Sequence, residues 1–316
     1  MKKNLFFKVS MLLSLAAVTV SCDCDKGTHI LSRDRNEVKF SSNINMVNNR
    51  TKVSGSTWDA SDAIGVYMYE EASFNIVENR KNIQYVTNLG GEKGNFEAAG
   101  TIIYFPDNGN KVRFMSYYPY QADLSVDDDV YEVDVVDQSS QSAIDLLYSF
   151  DKDAKYDKRT PNKKVPLIFD HQLTKVYVNV KAGNGLVDDD LQSIGISFNG
   201  LNTKADFDLM TGFLNNQGTP SPIDLRRTAV KSGYAASFEA IVLPDENVPV
   251  AQIIFDLNNG DTETGVSSDV YTWTFNNVLD KSTLYTYNVV INRSGIVVEA
   301  TINDWLPTED ADVNAE

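Results

Sequence analysis

The sequence is poor in the residues that most protein chemistry needs. It has two cysteines, Cys22 and Cys24, both near the N-terminus. The body of the chain therefore has no disulfide framework and no cysteine-based zinc site. It has two histidines, His29 and His171, which argues against most His-dependent catalysis and metal binding. Positive charge is scarce: 28 Lys and Arg stand against 44 Asp and Glu, a net charge of −16. That acidity repels phosphate backbones, so nucleic acid is not an expected partner. No Gly-x-Ser-x-Gly elbow, phosphate loop or His-Glu-x-x-His motif occurs. Long helical periodicity is missing as well. The expectation is a non-enzymatic protein with no cofactor and no metal.

Apolar residues are not lacking. They make up 42% of the chain, which excludes wholesale disorder, and 15 Tyr, 15 Phe and 3 Trp suit sheet faces. Length alone, at 316 residues, allows about two domains or one large β-domain.

Residues 1–21 read as a signal segment: Lys2, Lys3 and Lys8 precede an apolar run from Met11 to Val20. The run is short for a membrane-spanning helix of about 20 residues. It closes on Thr19-Val20-Ser21-Cys22, a small residue before a cysteine, which resembles a bacterial lipoprotein box. Cys22 is the expected lipidation site, its acyl chains anchoring the mature N-terminus to the outer membrane. Thr19 departs from the aliphatic residue usual there, and Cys24 fits less well because Asp23 precedes it. Losing Lys2, Lys3 and Lys8 takes the net charge from −16 to −19. Asp23 and Asp25 resemble a surface-export signal of Bacteroides-like lipoproteins. Residues 22–36 are polar and aperiodic, and read as a tether.

Period-two alternation then recurs. Examples are Val38 and Phe40; Ile64, Val66 and Met68; Tyr131, Val133 and Val135; Val176, Val178 and Val180; and Tyr285, Tyr287, Val289 and Ile291. Asn-Gly pairs at 108–109, 184–185, 199–200 and 259–260 predict hairpin turns. Short helices are conceivable only at 140–147 and 188–191. This pattern predicts an all-β chain of two tandem antiparallel β-sandwiches, with few or no helices. The charged stretch Asp151–Lys164, which contains Pro161, reads as a linker or a long exposed loop. It places one domain at 37–165 and a second at 166–316, the latter ending in an acidic tail.

The acidic runs Asp127–Asp129 and Asp188–Asp190 lack the spacing of a calcium loop and read as solvated turns. Asp151, Asp153 and Asp157 alternate with Lys152, Lys155 and Lys158, which oppose cation binding. Glu70, Glu71 and Glu78 have no evident placement as a glycosidase pair. His171 and Asp170 are neighbours on a strand and point to opposite faces, so a hydrogen-bonded structural histidine is expected. The cluster Tyr117-Tyr118-Pro119-Tyr120 could stack on sugars but suits packing better.

Several blocks, in order, resemble the Bacteroides fimbrillin family. They are Thr51–Gly55 with Trp58-Asp59 and Asp62–Met68, then Tyr104–Gly109, Tyr117–Tyr120 and Asp145–Tyr148. Val165–Val176, Ala205–Leu209, Ile241–Pro244, Tyr285–Val289 and Ile302–Trp305 follow. The resemblance covers roughly residues 38–306. It implies a lipoprotein precursor with two transthyretin-like β-sandwiches that acts in pili or adhesion at the cell surface. It also implies that an Arg-specific protease removes the first strand and that a strand from another subunit fills the groove. On this sequence the removable strand is Val38, Lys39, Phe40, Ser41, Ser42, Asn43 and Ile44, and the cleavage residue is Arg50. Expected partners are the outer-membrane lipid anchor, other pilus subunits, and host or bacterial surface ligands. The tail Pro307–Glu316 does not alternate, so no long donor strand is evident there, and shaft, tip, anchor or stand-alone roles stay open. The alternative reading is a glycan-binding surface lipoprotein of a polysaccharide-uptake system.

Overall fold

A computed structural model describes residues 36–44, 57–124, 129–244, 251–258, 270–275 and 278–304. The chain divides into Met1–Arg35 and Asn36–Glu316, and every described residue belongs to the second unit or opens it. The chain is all-β. The strands are β1 (Lys39–Ile44), β2 (Ala63–Glu70), β3 (Ile83–Thr87), β4 (Lys93–Ala98), β5 (Val112–Tyr118), β6 (Val130–Asp134), β7 (Leu147–Phe150), β8 (Lys164–His171), β9 (Thr174–Ala182) and β10 (Gly195–Asn199). They continue as β11 (Lys204–Asp208), β12 (Phe213–Gln217), β13 (Ile223–Asp224), β14 (Arg226–Arg227), β15 (Ala236–Val242), β16 (Ala251–Asp256), β17 (Val270–Phe275), β18 (Thr283–Asn292) and β19 (Gly295–Asp304). One helical turn, Gln141–Ile144, and a 3-10 turn at Asp188–Leu191 fall where short helices were expected. No helix among the described residues is long and apolar enough to cross a membrane.

The first sheet closes on itself in the order β1-β4-β3-β2-β5-β7-β8. Its interior holds Phe40, Ile64, Val66, Phe114, Val165 and Phe169. The second half packs two sheets around one core, β14-β15-β9-β18-β19 and β13-β10-β16-β17. Val176, Val178 and Val180 of β9 meet Phe198 of β10 and Phe255 of β16 in that core. A third sheet, β12-β11-β6, joins the halves. Tyr131 of β6 packs edge-on against Tyr117 of β5 at 5.5 Å, and Phe207 of β11 against Tyr148 of β7 at 5.1 Å. Tyr148 Oη donates to the Leu209 carbonyl at 2.6 Å. The outer faces of β2 and β5 are therefore covered, and Tyr67, Tyr69, Met115 and Tyr117 belong to the second core.

Three expectations change in detail. The cut near residue 165 falls inside the barrel strand β8, which pairs with β1 from Lys164 to Phe169. The stretch Asp151–Lys164 is a loop between β7 and β8, with Tyr156 paired to Val112 in both directions at 2.8 and 2.9 Å. Its polar composition marks exposure rather than a domain end. β6, placed by sequence in the first domain, pairs with β11 across the boundary.

The second change concerns strand direction, since β1 with β8 and β9 with β18 are parallel. Alternation reports which face a residue takes, not which way its neighbour runs. The third concerns turns. Gly109, Gly185 and Gly200 take positive φ, yet the preceding asparagines do not, so these are not type I′ hairpins. They bend loops whose flanking strands pair elsewhere. Asn259-Gly260 lies outside the described residues.

Candidate functional site

β1 forms because its residues alternate. Val38, Phe40, Ser42 and Ile44 are buried in the barrel, while Lys39 and Asn43 are exposed. The strand is hydrogen-bonded on both sides. Phe40, Ser41, Ser42 and Asn43 pair antiparallel with Phe96, Asn95, Gly94 and Lys93 of β4. On the other side β1 runs parallel to β8, Phe40 opposite Val165, Ser42 opposite Leu167 and Ile44 opposite Phe169. Just ahead of it, Val38 N–H donates to the Ile103 carbonyl at 3.0 Å, and Phe105 N–H to the Asn36 carbonyl at 2.7 Å. The first strand among the described residues is thus an interior strand of a closed barrel. Without it, β4 and β8 would become edges, and an edge exposes a row of main-chain donors and acceptors.

Aromatic rings define the slot that β1 fills. Phe40 meets Tyr85 at 4.9 Å and Phe114 at 5.2 Å, both edge-on. Trp58 closes the end near Ile44. It is 2% exposed. Its ring meets Phe96 of β4 at 5.0 Å, Phe169 of β8 at 5.2 Å and Tyr118 of β5 at 5.5 Å. Trp58 therefore bridges the two strands that flank β1. Its backbone exchanges hydrogen bonds with Gly91 at 2.9 and 2.8 Å, which fixes its place.

Ile44 also reaches a cleft of about 360 Å³ between the barrel and the second half. Trp58, Asp62, Tyr118, Lys175 and Glu239 line it. Tyr118 Oη donates to Asp62 Oδ1 at 3.1 Å, and burial raises the Asp62 pKa above the usual carboxylate range. Lys175 Nζ lies 3.1 Å from Glu239 Oε2, and Arg226 bonds the other carboxylate oxygen. Burial opposes both charges most strongly. Lys175 and Arg226 nevertheless hold Glu239 below its ordinary pKa, and Tyr177 and Glu239 hold Lys175 above its own. Gln138 staples the halves together: its amide nitrogen donates to the Val135 and Ile241 carbonyls at 2.6 and 2.8 Å, and its oxygen accepts from Ile241 N–H at 2.9 Å.

Of the residues singled out in the sequence, Val38–Ile44 form this site, while Cys22 and Arg50 lie outside the described residues. His171 is buried, and its Nδ1 lies 2.9 Å from Asp145 rather than meeting Asp170. Tyr117 and Tyr118 are buried, so they present no open stacking platform for sugars. Asp129 pairs with Lys81 at 2.9 Å, and Asp190 accepts Val187 N–H at 2.8 Å within its 3-10 turn. Asp151 accepts two backbone N–H groups of its own loop, and Asp157 pairs with Arg159. Sequence reading missed Gly94 and the Lys175–Glu239–Arg226 group. The signal for the latter was a lysine inside the apolar run around Val176.

The family model for fimbrillin-like proteins matches residues 51–305. Fim1C of Bacteroides uniformis, a provisionally named fimbrium subunit, is 33% identical over 266 residues, 81% of this chain and 82% of that protein. A provisionally named cell adhesion protein of solved structure, also from Bacteroides uniformis, is 30% identical with a TM-score of 0.70. That match covers 86% of this chain and 98% of the other. A second such structure, from Bacteroides ovatus, shares the fold, with 22% identity and a TM-score of 0.66 over 88% of this chain and 100% of its own. With the family match spanning most of its length, this chain belongs to the fimbrillin-like family.

Proposed function

We propose that this chain is a surface subunit for pilus assembly or adhesion, anchored through Cys22, and that β1 is exchanged for a strand of another subunit after cleavage at Arg50. The observation that carries this reading is β1 itself. It fills a closed barrel with alternating side chains and is bonded on both sides, yet it is the first strand among the described residues. A single cut in the segment 45–56 would separate it from the rest of the chain. The emptied slot would offer two edges and a row of apolar pockets, the setting for β-strand addition.

β19 of another copy is suited to the place. Among the described residues it pairs with β18 alone and forms the edge of its sheet. Val297 and Ile302 are exposed on it. One face of it, Ile296 and Val298 packed against the core followed by the exposed Ala300 and Ile302, reproduces the order of Val38, Phe40, Ser42 and Ile44. Treatment with an Arg-specific protease should release the β1 fragment and yield oligomers visible by electron microscopy. Arg50→Ala should abolish both. A chain verified as cut at Arg50 that stays monomeric and equally stable would defeat the exchange reading.

The anchor has its own test. Cys22→Ala should move the protein from the membrane fraction to the soluble fraction, because acyl chains supply about 0.8 kcal/mol per buried methylene. Unchanged partitioning would remove Cys22 from the account.

A further inference from the structure

Four inward positions make up the β1 slot, and the third differs from the rest. Val38, Phe40 and Ile44 are large, but Ser42 is small and 2% exposed. Its partner on β4 is Gly94. A β-carbon at Gly94 would come within 2.6 Å of Ser42 Oγ, 2.5 Å of the Phe96 ring and 3.0 Å of the Trp58 ring. Main chain and rings therefore close this pocket tightly, and Trp58 is held by three neighbouring rings. Ser42 Oγ is buried and has no hydrogen-bond partner among the described residues. The pocket thus has room for a hydroxymethyl group but does not satisfy its polarity. A buried hydroxyl without a partner costs free energy that a methyl group does not.

We infer that the Ser42 pocket is the position at which the slot discriminates between strands, accepting only a small side chain there and preferring alanine to the resident serine. The inference rests on the strand-exchange reading and specifies the partner: an extended strand with large apolar residues at the first, second and fourth inward positions and alanine at the third. Ala300 occupies that position in β19. An incoming strand of this kind gains over the resident one at the third pocket, so exchange has a driving force built into the slot. The large fourth residue then reaches the cleft beside Trp58, as Ile44 does.

The slot can be probed in the uncut chain. Ser42→Ala should raise the melting temperature by about 2–4 °C, while Ser41→Ala, on the outward side of the same strand, should leave it nearly unchanged. A melting temperature for Ser42→Ala at or below that of the parent chain would overturn the preference for alanine. The second arm uses the chain cleaved after Arg50 and synthetic peptides covering residues 37–46, with serine, alanine or leucine at position 42. The alanine peptide should bind about five- to tenfold tighter than the serine peptide, and the leucine peptide should not bind measurably. Equal binding of all three would overturn the inference and leave strand exchange standing. Failure of every peptide to bind would overturn strand exchange and the inference together.

Discussion

Phe40→Ala is expected to destabilise the uncut chain by about 3–5 kcal/mol, the range for removing a large buried aromatic side chain. The ring is 2% exposed and sits between Tyr85 and Phe114, both in edge-on contact. Each such pair contributes about 0.5–1.5 kcal/mol beyond the area it buries. The flanking strands β4 and β8 are also held by their pairing with β3 and β7, so the cavity should not collapse fully. Urea denaturation should show a lowered midpoint. Lys39→Ala, one residue away on the exposed side, should stay within about 0.5 kcal/mol of the parent. A loss below about 1 kcal/mol for Phe40→Ala would mean that β1 packs loosely, and the slot would lose its claim to specificity.

Much of the strand set was legible because one face of a strand was polar. β1, β9 and β18 alternate over enough residues to declare themselves. Strands buried on both faces are harder to read. β5 and β15 are buried at every residue, and Met115-Ser116-Tyr117-Tyr118 and Ala240-Ile241-Val242 break the period of two. β4 was hidden for a different reason: Phe96 is the only large apolar side chain among its six residues, and Gly94 reads as a turn. That same glycine forms the wall of the Ser42 pocket, so a residue that weakens the strand signal shapes the site. Domain organisation was less legible than strand content. Charge and Pro161 left a linker and a long exposed loop both open, and the pairing of Tyr156 with Val112 makes the segment an exposed loop tied to the barrel. Pairing partners far apart in sequence, such as β6 with β11, leave no local trace.

The slot was legible only as the polar-apolar alternation of Val38–Ile44. Its selectivity arises from Gly94, Phe96 and Trp58, residues distant from β1 in the chain. The resident strand combines three well-filled pockets with one imperfect one. Such a strand can hold the barrel closed and still be displaced by a better match. The bond between the halves does not depend on β1, since β6 with β11, Gln138 and the Tyr117–Tyr131 contact lie elsewhere. Loss of β1 is therefore expected to open the barrel while leaving the second half attached.

Glu239→Gln tests the charged group in the cleft and is expected to cost about 3–5 kcal/mol, the range for breaking a buried ion pair from one side. Glu239 and Lys175 are both nearly inaccessible, and Arg226 completes the group from its more open position. Neutralising the carboxylate would leave Lys175 charged and buried beside a second cation. Removing both buried partners together, as in Lys175→Met with Glu239→Leu, should recover most of the loss, because the desolvation cost then disappears with the charges.

The pH dependence follows from the direction of each shift. Glu239 is held below its ordinary pKa, so its stabilisation is present above the unfolded value of about 4.3 and is lost as pH falls through the folded one. Lys175 is held above its ordinary pKa, so its stabilisation is present below the unfolded value of about 10.4 and is lost as pH rises through the folded one. Denaturation midpoints of the parent should therefore be level near neutrality and fall below about pH 4. In the double variant the part of that acid limb due to Glu239 should vanish. A double variant as unstable as Glu239→Gln alone would show that these side chains act through packing, and the charged group across β14, β15 and β9 would lose its electrostatic role.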